Sequence, residues 1–230
     1  MAKLIIALDC EINRAKEIVK EVYKKNNFFK VGPVLFVNHG LEIIEFLKKY
    51  DSKIFLDLKL HDIPNTVEKA VENISRLGVY SLSVHACGGK EMLKACVGAA
   101  GKKLKIWGVT ILTSIDVFEY SSLGFRYSLE HQVAHFARLL KSAGVDGIIS
   151  SPREMYYLKK IINDIDFITP SIRLSTTKDI DDQKRFMTPK KAVEWGSDYL
   201  VVGRPITQSK NPLEVVDKII EEINSAGKYD

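Results

Sequence analysis

Asp57, Lys59 and Asp62 stand close together in the stretch Phe55-Leu56-Asp57-Leu58-Lys59-Leu60-His61-Asp62. If this stretch is a β-strand, its side chains alternate faces. Asp57 and Lys59 then share one face, and Leu56, Leu58 and Leu60 share the other. An apolar face packs on surrounding structure, which turns the charged face inward. Charged groups rarely sit inside a protein unless paired. A buried pair adds little stability, because desolvation offsets the Coulomb gain. Chemistry explains such a pair better, with a structural salt bridge as the competing explanation. Acids beside Lys59 favour its protonated form. The lysine is then a proton donor and an anchor for developing negative charge. A Schiff-base lysine, by contrast, must be neutral. Asp57 held beside a bound carboxylate would repel it, an effect ranked below stabilisation of a carbanion.

Other polar residues fall where short apolar runs end. They are Asp9, Lys30, His85, Arg173, the pair Thr113-Ser114 and the pair Gly203-Arg204. Tyr199-Leu200-Val201-Val202-Gly203-Arg204-Pro205 reads as a strand followed by a phosphate cup. Gly203 lets the backbone approach a ligand, and Arg204 supplies a bidentate charge. A surface arginine after a strand is the plain alternative. In Ile63-Pro64-Asn65-Thr66, Pro64 suits a helix start and Asn65 or Thr66 could cap it. His85 and His61 lack companions at metal-ligand spacing. No Ser-His-Asp or Cys-His arrangement is present, and no metal is expected.

The elements that must position these residues alternate between β and α. Strands are expected at Lys3–Asp9, Phe28–Val31, Lys53–Lys59, Ser81–His85, Ile106–Thr110, Gly147–Ser150, Phe167–Thr169 and Tyr199–Val202. Helices are expected at Asn13–Lys25, Val34–Tyr50, Thr66–Leu77, Lys90–Ala100, Leu129–Ser142, Arg153–Ile162, Pro189–Trp195 and Pro212–Ser225. Gly78, Gly144 and Gly196 each close a helix before a strand. Eight such units over 230 residues predict a single-domain α/β fold, the (β/α)8 TIM barrel spanning 1–230. A doubly wound sheet would carry a Gly-rich turn after its first strand, whereas Asp9-Cys10-Glu11 has no glycine. Barrel active sites lie at the strands' C-terminal ends, where the candidate residues fall. The polar stretch Ser171–Thr188 after the seventh strand reads as a binding loop or lid, or else as a plain surface loop.

Bulk composition narrows the class. Hydrophobic residues at 46% and charged residues at 27% suit a globular domain with a sizeable core. A net charge of +5 without a Lys/Arg cluster among aromatics argues against nucleic acid and suits a small anionic substrate. Cys10, Cys87 and Cys96 fit neither a disulfide framework nor a zinc site. No run approaches a membrane span, and MAKLIIALDCE lacks the apolar length of a signal peptide. The expected location is cytoplasmic.

Taken in order, Asp9 after an apolar strand, FFKVG, FLDLKLHDIPNTV, GVTILTS, TPSIRL, DDQKRFMTP and YLVVGRPIT resemble the orotidine 5′-phosphate decarboxylase family. These blocks run from residue 4 to 207. DxKxxD alone is shared with sugar-phosphate decarboxylases and synthases, which would need a Glu near the second strand where this chain has Lys30. DxKxxDIPNT with a late GRPIT is more specific. The resemblance implies cofactor-free loss of CO2 from C6 of the orotate ring to give uridine 5′-monophosphate. It implies a charged tetrad of Lys30, Asp57, Lys59 and Asp62, with Lys59 the proton donor. Asp9 and Lys30 would hold the ribose, and Thr113 or Ser114 the pyrimidine. Arg173, Gln183, Gly203 and Arg204 would hold the phosphate. A homodimer is implied, with Asp62, Ile63 and Thr66 reaching the neighbouring subunit's site. One departure is Ser171, where the family pattern leads one to expect Gly.

Overall fold

A computed structural model describes residues 1–174 and 187–227. Eight strands, β1 (Lys3–Ala7), β2 (Phe28–Val31), β3 (Lys53–Leu60), β4 (Ser81–His85), β5 (Lys105–Val109), β6 (Gly147–Ile149), β7 (Asp166–Thr169) and β8 (Tyr199–Val202), close in chain order into a parallel barrel. Helices α1 (Ile12–Val22), α2 (Pro33–Lys48), α3 (Pro64–Ser75), α4 (Gly89–Ala100), α5 (Val117–Ser122), α6 (Leu129–Ala143), α7 (Pro152–Ile161), α8 (Pro189–Glu194), α9 (Arg204–Thr207) and α10 (Pro212–Ser225) follow or connect them. The expected (β/α)8 barrel is therefore the fold.

The boundaries differ from expectation where backbone chemistry outweighs periodicity. Helices α2, α3 and α7 begin at Pro33, Pro64 and Pro152, a residue or two before the apolar pattern starts. Proline suits that place because the first helical N–H needs no partner. Gly78, Gly144 and Gly196 take φ values of 70°, 84° and 98°, the left-handed conformation that closes a helix. Helices α5 and α9 are too short for periodicity to mark. Asp116 starts α5 by accepting from Phe118 N and Glu119 N.

Strand alternation sorts the core into two shells. Outward residues such as Ile6, Phe29, Leu56, Leu82 and Ile148 pack under the helices. Inward residues, including Phe28, Phe55, Trp107, Ile168 and Tyr199, form a separate cluster inside the barrel. Its rings interlock: Trp107 lies 4.7 Å from Phe55 and 5.1 Å from Tyr199, centroid to centroid. Burying each such side chain contributes about 1.5–3 kcal/mol. This plug fills the barrel beneath the C-terminal mouth, where Lys30, Asp57 and Lys59 line a cavity. Among the described residues, no helix is long and apolar enough to cross a membrane.

Gly147 reports on the tightness of this plug. A Cβ there would stand 2.6 Å from Ile168 Cδ1 and 2.7 Å from Trp107 Cδ1. Gly147→Ala is expected to cost about 1–3 kcal/mol in urea unfolding. An unchanged midpoint would mean that the Trp107 layer is loosely packed.

Candidate active site

Three parallel strands deliver four charges to one spot. Asp9 follows β1, Lys30 lies on β2, and Asp57 and Lys59 lie on β3. Lys30 Nζ donates to both Asp9 oxygens at 2.9 Å and lies 3.4 Å from Asp57 Oδ2. Lys59 Nζ donates to that same Asp57 oxygen at 2.9 Å. Lys30 and Asp57 are each only 7% exposed, so neither charge relies on bulk water. Burial works against the Lys30 ammonium, but Asp57 and Asp9 outweigh it and lift its pKa above the ordinary lysine value. Burial likewise opposes the Asp57 carboxylate, yet Lys30 and Lys59, with a hydrogen bond from Ser83, hold its pKa below the usual aspartate range.

Strand β3 reaches this geometry through an irregularity. Leu56 pairs with Leu82 and Leu60 with Val84, so β3 runs four residues while β4 runs two. Two extra residues leave the in-out alternation in phase, and Leu58 and Leu60 still pack against the outer core. Lys59 sits at φ 49°, a left-handed conformation costing an L-residue about 1–2 kcal/mol. Its N–H donates to Ser83 Oγ at 2.8 Å, and Ser83 Oγ donates to Asp57 Oδ1 at 2.8 Å. Sequence reasoning missed Ser83. Its signal was the small-polar alternation Ser81-Leu82-Ser83, which puts a hydroxyl on the inward face of β4.

The charges border a cavity of about 360 Å³ at the barrel mouth. Phe55, Val109, Ile149, Ile168 and Val201 supply its apolar lining. Thr113, Ser171, Arg173, Gly203 and Arg204 also line it. Gly203 precedes the single-turn helix α9, which starts with Arg204-Pro205. Ser171 meets its family departure with a left-handed backbone, φ 63°, where glycine would be unstrained. Its Oγ donates to Thr113 Oγ1 at 3.2 Å, which ties the start of the long loop to the turn after β5. The loop's two ends are joined: Arg173 N donates to Met187 O, and Met187 N to Ser171 O. Residues 175–186, including Gln183 and most of the expected lid, lie outside the described residues.

Of the expected site residues, Asp9, Lys30, Asp57, Lys59, Thr113, Arg173, Gly203 and Arg204 meet around one cavity. Ser114 is exposed and is not part of its lining. Asp62, Ile63 and Thr66 are exposed at the start of α3. Asp62 Oδ1 accepts from Ile63 N at 2.6 Å. Among the described residues, the ion pair of Lys59 is with Asp57, and Asp62, the other acid expected near it, is exposed. Asn65 and Thr66 do not cap α3, which has no side-chain cap and starts from Ile63. His85 turns toward His61, with ring centroids 5.8 Å apart, and its Nδ1 is buried without a partner among the described residues. Burial, with His61 and Lys59 nearby, depresses its pKa.

An α/β barrel with an Asp–Lys network at its mouth, beside a cavity that two arginines also line, belongs to the class of (β/α)8-barrel enzymes. Within that class, the chain belongs to the orotidine 5′-phosphate decarboxylase / HUMPS family, whose pattern matches residues 2–219. It is 43% identical to orotidine 5′-phosphate decarboxylase of Carboxydothermus hydrogenoformans, over 96% of this chain and 95% of that protein. It is 42% identical to the protein of the same name from Legionella pneumophila strain Lens, over 96% and 99%. A crystal structure of orotidine 5′-phosphate decarboxylase from Lactobacillus acidophilus superposes with a TM-score of 0.86 at 36% identity, covering 98% of this chain and 100% of that one.

The network has opposite effects at the two ends of the pH scale. Asp57 is depressed when folded, so its contribution to stability is present above the unfolded value, about 3.9, and is lost as pH falls through the folded one. Lys30 is raised, so its contribution is full below about 10.4 and is lost as pH rises through its folded value. Lys30→Met leaves Asp57 with one ammonium and is expected to move the acid limb of stability to higher pH. Urea unfolding from pH 3 to 8 checks this; an unmoved limb would separate Lys30 from Asp57.

Proposed function

We propose that the chain is an orotidine 5′-phosphate decarboxylase that releases CO2 from orotidine 5′-monophosphate to give uridine 5′-monophosphate, without a cofactor. One observation carries this reading: a buried carboxylate shared by two ammoniums beside a largely apolar cavity that two arginines also line. Cleavage of the bond from C6 to the carboxylate leaves an electron pair on C6. The Lys59 ammonium stabilises that charge and donates a proton to C6. It regains the proton from solvent. Preorganised positive charge out of bulk water suits a carbanion that no cofactor absorbs.

Arg173, Arg204 and Gly203, with Gln183, would hold the phosphate. Asp9 and Lys30 would hold the ribose, and Thr113 or Ser114 the pyrimidine. Phosphate contacts remote from the ring would supply binding energy to hold a closed arrangement. The exposed Asp62, Ile63 and Thr66 fit a homodimer in which they complete the partner's site. Ile63 is an apolar side chain left 66% exposed beside the site's own strand. The free cysteines fit a reducing cytoplasm.

Loss of orotidylate absorbance on adding purified protein, undiminished by excess EDTA, is the expected result. Metal-dependent turnover of a sugar phosphate instead would favour the other branch of the family. Lys59→Ala is expected to lower kcat by at least about 10³-fold with uridylate binding still measurable. Arg204→Ala is expected to raise KM about ten- to hundredfold. Near-normal turnover in the first variant, or an unchanged KM in the second, would remove that residue from its role. Sedimentation is expected to give twice the monomer mass; a monomer with full activity would exclude the shared site.

A further inference from the structure

We propose that Ser83 is a positioning residue that sets the direction of both Asp57 and Lys59 through a single hydroxyl. The proposal rests on the decarboxylase reading above and deepens it.

Ser83 is fully buried, at 0% exposure, and points inward from β4. Along β3 the backbone bonds alternate between neighbours: Lys53 N donates to Asn27 O before β2, and Ile54 O accepts from Tyr80 N before β4, so a regular ladder would turn the N–H of Lys59 toward β2. No strand partner stands there, because β2 ends at Val31, opposite Leu56, and Lys59 at φ 49° presents its N–H to β4 instead. A buried N–H left unpaired costs about 1–3 kcal/mol. Ser83 Oγ accepts the bond instead, at 2.8 Å. The left-handed turn at Lys59 is thus held by a side chain.

The same oxygen carries one proton, which among the described residues has Asp57 Oδ1 as its acceptor. Ionised Asp57 cannot donate, so Ser83 must donate to its Oδ1, at 2.8 Å. Donors run one way, from Lys59 N–H through Ser83 to Asp57. Oδ1 is thereby occupied, and Oδ2 is left to the Lys59 and Lys30 ammoniums at 2.9 and 3.4 Å. Without Ser83, the carboxylate could turn and offer both oxygens to the lysines. That rotation would draw Lys59 Nζ away from its position. Ser81, two residues earlier on the same face, is equally buried, but its Oγ has no partner in the described structure. It is an internal control for burial of a serine on this strand.

The test is kcat, KM for orotidylate and the pH–rate profile of the full chain carrying Ser83→Ala, Ser83→Cys, Ser83→Thr or Ser81→Ala. Alanine and cysteine at 83 are expected to lower kcat roughly ten- to hundredfold with KM within about twofold. The acid limb of kcat should move to higher pH, since Asp57 loses a donor. Threonine, which keeps the hydroxyl, should restore most of kcat, and Ser81→Ala should match the parent. If Ser83→Ala does not fold, the near-isosteric Ser83→Cys carries the test. The proposal is overturned by any of four results: cysteine at 83 leaving kcat within about twofold of the parent, an unmoved acid limb, threonine as poor as alanine, or an equal loss from Ser81→Ala. A parent protein without orotidylate turnover would sink the functional reading and this proposal together. An active parent indifferent to residue 83 would sink this one alone.

Discussion

Asp57 is a carboxylate out of bulk water that two ammoniums share, and the rest of the site is arranged so that this can persist. Taken alone, a buried carboxylate would neutralise or force the chain open. With Lys30, Lys59 and Ser83 as donors, it stays charged. In turn it fixes where the Lys59 ammonium points. Lys30 is held from its other side by Asp9, which receives it with both oxygens. Breaking any member leaves a neighbour buried without compensation, so the charges stand or fall as a unit. Desolvation can cancel the Coulomb gain of such a pair, so its place at the mouth of a cavity speaks for chemistry.

The barrel supplies what the network needs. Neighbouring parallel strands set Lys30 level with Ala7 and Phe55, two residues below Asp9 and Asp57, and its long side chain reaches both acids although all three are distant in sequence. Below them the plug around Trp107 closes the barrel from beneath. Above them, the loop after β7 leaves and returns through paired backbone at Ile172 and Met187. This tie at the base holds the backbone of Arg173, whose N–H donates to Met187 O. Ser171 shows how a departure from a family pattern is absorbed. The left-handed backbone is kept, and the hydroxyl takes on a bond to Thr113.

The (β/α)8 barrel, the glycine helix ends and the inward face of β3 were legible because each follows from a local rule. Alternating β and α runs demand a parallel sheet, and the period of two places Asp57 and Lys59 together. Helix starts were less legible, because proline begins a helix one or two residues before its apolar stripe does. The short α5 and α9 escaped because one or two turns give no period to read.

The residue pattern by itself determined that the chain folds as a barrel and that a lysine with neighbouring acids stands at a strand end. It could not decide which acid the lysine touches. That is settled in the closed sheet, where Lys59 pairs with Asp57 while Asp62 is exposed. For the same reason Ser83, 24 residues from Lys59, could join the site only once the strands were paired. Sequence periodicity reports the face a side chain presents; its partner across strands depends on register, and register is a property of the closed sheet.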